Sequence, residues 1–199
     1  MSERPSPIQI DVGELVQRSV TSLYSHLVTR PTGRAVRLAI ETQLAEVGET
    51  AFSLIDLSEV SVLDFSCADE VVAKLLLRYL GEDRPGDAFF ALRGVRDLHR
   101  GPIEVVLERR QLAVVSQGAD GVFELLGTRT ADESRVWEVV EERGRLHVGE
   151  RDRVLPDESQ RVALEGLVQR RLVFRAPSTG DIYALSRLVG PLSGHRDPG

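Results

Sequence analysis

The sequence predicts an α/β fold: a mixed sheet packed by helices, followed by a smaller α+β unit that ends in a β-hairpin. Three observations lead there. Up to residue 126, short apolar runs alternate with apolar residues at helical spacing, the order of an α/β layer. After Gly127 the order becomes helix, short segment, helix, hairpin. The charge changes at the same place, since residues 1–126 carry 13 basic and 19 acidic side chains and residues 127–199 carry 12 of each. Two units are therefore expected, 8–126 and 127–189, between disordered tails at 1–7 and 190–199.

Residues 8–12 alternate as a short strand does, and residues 14–28 place Val16, Val20, Leu23, Tyr24 and Leu27 at helical spacing. Arg30-Pro31-Thr32-Gly33 interrupts this pattern. A second helix follows through Val36, Ile40, Leu44 and Val47, with Gly48 as its natural stop. Residues 52–58 read as a buried strand, 66–80 as a helix, 87–94 as a strand, 103–110 as a helix, and 111–116 and 121–126 as strands. In the second unit, 131–143 is helical on Val136, Trp137 and Val140, while 146–154 is ambiguous. A helix opens near Pro156 and runs to about Arg171. Residues 172–176 and 181–185, joined by Pro-Ser-Thr-Gly, form a hairpin.

Composition narrows the function classes. With 42% hydrophobic and 28% charged residues the chain has the makings of a core. No apolar run approaches the roughly 18 residues of a membrane span, and the polar start lacks a signal-peptide core. The lone Cys67 forms neither an internal disulfide nor, by itself, a metal site. These features predict a cytoplasmic protein. The net charge of −6 argues against a body that wraps nucleic acid. His26, His99, His147 and His195 are scattered, with His99 read in a loop and His195 in the tail, and no phosphate-binding loop or metal-ligand spacing occurs. No catalytic residue, metal or cofactor is expected, and the chain reads as a non-enzyme.

Two clusters carry chemistry. Ser66, followed by Asp69, has the form of a helix cap worth about 1 kcal/mol. A phosphate on Ser66 would meet the same free N–H groups, against repulsion from Asp64, Asp69 and Glu70. Arg30, Arg34 and Arg37 surround a second helix start with Thr32 as its cap. Cations there oppose the helix dipole, which calls for an anion: either the internal acidic stretch 64–70 or a bound ligand or partner.

Ile55-Asp-Leu-Ser-Glu-Val-Ser-Val-Leu-Asp-Phe-Ser-Cys-Ala-Asp69 resembles the central signature of STAS and STAS-like domains, the fold of anti-sigma-factor antagonists. The resemblance covers roughly residues 8–126. It implies a STAS-like mixed sheet, with Asp64, Phe65, Ser66 and Cys67 in the places of that family's Asp-Ser/Thr-Ser-Gly. Ser66 then falls at the regulated phosphoserine, phosphorylated by a kinase that is also the anti-sigma factor. Phe65 departs from the small hydroxyl residue and Cys67 from glycine. Asp64, Phe65, Cys67 and Asp69 would line the partner contact.

Val162-Ala-Leu-Glu-Gly-Leu-Val-Gln-Arg-Arg-Leu-Val-Phe174 resembles the last helix and first wing strand of a winged helix-turn-helix, over about residues 130–188. That resemblance implies a recognition helix in which Gln160 and Arg161 read base edges and Arg170, Arg171 and Arg175 contact phosphates. Asp157 and Glu158 at its start, an uncharged wing tip and zero net charge favour a protein-interaction or dimerisation module instead. The expectation is a regulatory adaptor for a protein such as a kinase or anti-sigma factor, with a homodimer compatible. A DNA-binding regulator with a STAS-like sensor is the alternative, and a small-ligand sensor is the weakest reading.

Overall fold

The computed structural model describes residues 6–11, 26–47, 50–118 and 120–188. Strand β1 (Ser6–Asp11) precedes a two-residue strand β2 (His26–Leu27), helix α1 (Arg30–Val47) and strand β3 (Ala51–Asp56). Strand β4 (Val62–Leu63) leads into a continuous helical segment: α2 (Phe65–Ala68), a wide π-turn (Asp69–Lys74) and α3 (Leu75–Leu80). Then come β5 (Ala88–Arg93), α4 (Asp97–Arg109), β6 (Ala113–Gln117) and β7 (Phe123–Gly127).

Five of these strands form one sheet in the order β1-β3-β5-β6-β7. The first four run parallel, and β7 closes the edge antiparallel to β6. The class is thus mixed α/β. Of the helix expected over 14–28, residues 14–25 lie outside the described residues, as do residue 12 of the strand expected over 8–12, Gly48 and the tails 1–5 and 189–199. Residues 26–27 are strand rather than helix, because β2 pairs in parallel with β4. Ser6 and Pro7, expected in a disordered tail, already pair with Ala51 and Phe52.

Side chains alternate across the sheet, and each set has its own cover. Ala51, Ile55, Phe90, Leu92 and Val114 pack with α1, α2, α3 and α4. Phe52, Leu54, Phe89, Ala91 and Val115 face the other way, into a second apolar cluster. That cluster is completed by α5 (Ala131–Arg143), β8 (Arg145–Leu146), a short α6 (Arg151–Val154), α7 (Glu158–Gln169), β9 (Val173–Arg175) and β10 (Ile182–Ala184). The strands β8, β10 and β9 make a small antiparallel sheet in that order, and the expected hairpin is β9–β10.

The second unit begins where β7 ends, but it has no core of its own. Val136, Trp137, Leu164, Leu167 and Phe174 share one with the back of the large sheet. Phe89 and Phe174 meet edge to face, with centroids 5.3 Å apart. The Arg171 guanidinium lies 5.1 Å above the Phe89 ring and bonds Asp87 at 2.6 Å. The described residues thus stack in three layers with the large sheet in the middle.

Two helices end in the same device. After α4, Leu112 N–H bonds Leu107 O and Gln111 N–H bonds Glu108 O. After α7, Leu172 N–H bonds Leu167 O and Arg171 N–H bonds Val168 O. Each closure puts a non-glycine residue in the left-handed region, Gln111 at φ 54° and Arg171 at φ 57°, where a side chain costs about 1–2 kcal/mol. Arg171 recovers that cost through Asp87 and Phe89, whereas Gln111 is exposed. Gln111→Gly is expected to stabilise the fold by about 1 kcal/mol and Arg171→Gly to destabilise it, both read from urea unfolding midpoints.

Candidate functional site

The turn from β4 into α2 is fixed by an aspartate. Asp64 sits in an extended conformation, and its Oδ1 accepts from Cys67 N–H at 2.8 Å. Asp64 is therefore the helix cap, not Ser66, because the shorter serine already lies inside the first turn. The Ser66 hydroxyl donates to Asp64 at 2.9 Å and stays half-buried. Phe65 leaves 51% of its surface in solvent. Cys67, expected at the partner contact, is fully buried, so its side chain offers no surface here and instead packs within this turn. Its thiol donates to Thr29 O at 2.9 Å, and burial together with the Asp64 charge pushes it up to about 12.

A similar displacement occurs at α1. The helix starts at Arg30, and Thr29 caps it, accepting from Thr32 N–H at 3.3 Å. Thr32, expected as the cap, is in the first turn with its hydroxyl 2.8 Å from that of Thr29. Gly33 lies in the helix and not in a break. A Cβ there would stand 2.9 Å from Cys67 Cα and 3.1 Å from Glu70 Cβ, so glycine is what lets α1 approach α2 this closely.

That close approach brings the arginines onto the acidic stretch. Arg30 Nη1 sits between Asp69 at 3.0 Å and Glu70 at 3.1 Å. Arg37 Nε reaches Glu70 at 3.3 Å and also pairs with Glu41. Lys74 bonds Glu70, and Arg110 reaches Asp69 at 2.9 Å. Glu70, with 3% of its side chain exposed, is held by three cations. Burial alone would raise both carboxyl groups. The bonds from Lys74, Arg37 and Arg30 nevertheless hold Glu70 below the usual carboxylate range, and those from Arg30 and Arg110 do the same for Asp69. Arg34 is exposed and has no ion pair among the described residues.

Two clefts meet at Arg30. One of about 440 Å³ runs past Phe65, Ser66 and Asp69 to Val106, Arg109 and Arg110. The other, about 590 Å³, follows α1 past Arg34 and Leu38 to Lys74. Arg109 and Arg110 lie at the end of the helix expected over 103–110, but nothing in the local sequence shows that this end meets Ser66 and Asp69. The helix in fact starts at Asp97, and its last turn delivers both to this cleft.

The residues nominated for DNA are engaged elsewhere. Gln160 accepts from Asp157 N–H in a capping box, and Arg161 bonds the carbonyls of Leu155 and Pro156 and pairs with Glu158. Arg170 grips Glu133 at 2.9 and 3.0 Å, Arg171 holds Asp87, and Arg175 pairs with Glu165. His99, read in a loop, is fully buried in the first turn of α4, where it accepts from Arg96 N–H at 3.4 Å. Burial, then Arg96, pushes its pKa down. Asp181 also escaped notice: Arg145 and the Val148 N–H draw it down to about 2, which fixes the loop before β10. No three His, Cys, Asp or Glu side chains among the described residues form a metal-binding group, and no described helix is long and apolar enough to cross a membrane.

Glu70 is the test of this network. Glu70→Gln is expected to cost about 2–3 kcal/mol in urea unfolding, since three cations lose their shared charge. Depressed carboxylates stabilise above their unfolded pKa, and the effect is lost as pH falls through the folded value. The share of stability due to Glu70 and Asp69 should therefore hold down to about pH 4.5 and drop below about pH 4, with a shallower limb there in Glu70→Gln. His99, held neutral by burial, adds a separate loss that begins below about pH 6.5 and persists in Glu70→Gln.

Comparison of the chain with protein-family models, with curated proteins and with solved structures finds no match, and the chemistry of this face is read from its own residues.

Proposed function

We propose that the chain is a non-enzymatic regulatory adaptor. A STAS-like part binds a regulatory protein of the kinase or anti-sigma-factor type, and phosphorylation of Ser66 controls that contact. One observation carries the reading: the half-buried Ser66 lines an open cleft with Arg30, Arg109 and Arg110. Asp69 and Glu70, which would repel a phosphate, are already matched by Arg30, Arg37, Lys74 and Arg110. Asp64 is the carboxylate that remains against it. A phosphoserine there adds nearly two negative charges and three acceptor oxygens within a guanidinium-rich cleft. The exposed Phe65 beside it supplies an apolar anchor of the kind that dominates protein contacts.

In this reading the winged-helix-like part covers the back of the sheet and contributes to protein contacts. Reading DNA would require Gln160, Arg161, Arg170, Arg171 and Arg175 to leave the partners they hold, which lends that alternative no support.

Incubation with labelled ATP and a native extract should transfer phosphate to the wild type and not to Ser66→Ala. Equal labelling of the two would remove Ser66 from the mechanism. For a partner retained by the wild type, Ser66→Asp should weaken binding about tenfold by charge repulsion against Asp64 and rearrangement of the cap. Phe65→Ala should weaken it without changing the unfolding midpoint appreciably.

A further inference from the structure

The acidic chain presents one face of opposite sign. Across the two clefts that meet at Arg30 stand Arg30, Arg34, Arg37, Lys74, Arg109 and Arg110, against Asp69 and Glu70. Lys74 is the chain's single lysine. Both carboxylates are withdrawn from solvent, with 14% and 3% of their side chains exposed. Of the cations they pair with, Arg30 keeps 53% of its side chain in solvent, Arg110 38% and Lys74 35%, and Arg37 is the more enclosed one at 17%. Arg34 and Arg109 are exposed and make no ion pair among the described residues. The potential that a visitor meets is therefore positive, although the chain as a whole carries −6. Apolar surface is interleaved with this charge. Leu38 is 45% exposed on the α1 side and Phe65 on the α2 side, with Pro31 and Ala35 between the cations.

We infer that this face docks an acidic segment of a partner protein, whose carboxylates pair with Arg34 and Arg109 while its apolar side chains cover Leu38 and Phe65. The inference rests on the adaptor reading and gives the partner its chemistry. Charge complementarity selects the occupant. Exposed guanidinium groups pair carboxylates in forked geometry, and exposed leucine and phenylalanine suit the apolar residues of a peptide. A nucleic acid fits less well. Its charge repeats beyond the patch onto an acidic body, and Phe65 is the one exposed aromatic ring lining these clefts, where a stacking platform needs several.

The full chain tests this by fluorescence anisotropy with three labelled probes: a short glutamate–leucine peptide, its lysine–leucine counterpart, and a single-stranded oligonucleotide of matched charge. The acidic peptide should bind at low salt and weaken as salt rises. The double variant Arg34→Glu/Arg109→Glu should lose about tenfold in affinity or more with an unchanged circular dichroism spectrum, because neither arginine holds the fold. Absence of peptide binding, equal binding by the variant, or equal binding of the lysine peptide would overturn the inference. Tighter binding of the oligonucleotide would overturn it too, by making the face a nucleic-acid surface. Failure here with Ser66 labelling intact removes the docking face alone, whereas docking without Ser66 labelling removes only phosphorylation control.

Discussion

A parallel strand carries apolar side chains on both faces and must be covered on both. Here β3 is buried along its whole length, and its neighbours β1 and β5 run parallel to it. One face is met by α1 to α4, which leaves Phe52, Leu54, Phe89 and Val115 needing a second layer. The chain after Gly127 is that layer. Its amphipathic helices and hairpin exist to close the sheet before they do anything else. Trp137, Leu164 and Phe174 are spent on this, and so is Arg171, which stacks on Phe89 and ties down Asp87.

The front layer depends on a second constraint, the distance between α1 and α2. Because Gly33 has no side chain, the helices come close enough for Arg30 and Arg37 to reach a carboxylate that is nearly out of water. A buried carboxylate without partners would protonate or push the helices apart. With three cations it stays charged and locks the pair. The π-turn from Asp69 to Lys74, a form common where helices carry functional groups, holds Asp69, Glu70 and Lys74 in this network. The consequence reaches Ser66. Neutralising Asp69 and Glu70 changes the surroundings of that hydroxyl from acidic to guanidinium-rich, a reversal that the run of acidic residues in the sequence hides.

Strong local periodicity was readable. The strands near residues 52–56, 88–93 and 113–116, the helix from Ala131 to Arg143 and the hairpin all lie where their patterns place them. What escaped depends on contacts distant in sequence. The two residues of β2 are too few to show a period, and their strand character comes from pairing with β4. Thr32 and Ser66 have the chemistry of caps, but Thr29 and Asp64 hold that role because each helix begins earlier than its apolar stripe. His99 is polar and flanked by arginines, which reads as loop, yet tertiary packing buries it completely. The opposition of Arg30, Arg34 and Arg37 to a helix dipole was a legible anomaly, and for Arg30 and Arg37, though not for Arg34, the answer in Glu70 lay within the stretch named for it. The share held by Arg109 and Arg110 was not legible, because their helix end meets Asp69 and Ser66 only through tertiary packing between residues distant in sequence.

Net charge is a weaker guide to partners than the solvent-facing ends of the side chains that make it up. In the neutral half of the chain the sum says less than the use to which its arginines are put. Arg161 and Arg170 bond main-chain carbonyls and carboxylates, and Arg175 pairs with Glu165, so contact with phosphates would first have to break those bonds. The acidic half shows the converse. Its carboxylates at Asp69 and Glu70 are largely withdrawn from solvent while Arg30 and Arg110 remain exposed beside them, so a region that sums to −6 displays positive charge beside Ser66. An ion pair cancels in a tally whichever way it points. At a surface its orientation decides the sign a partner meets, and here the close packing at Gly33 sets that orientation.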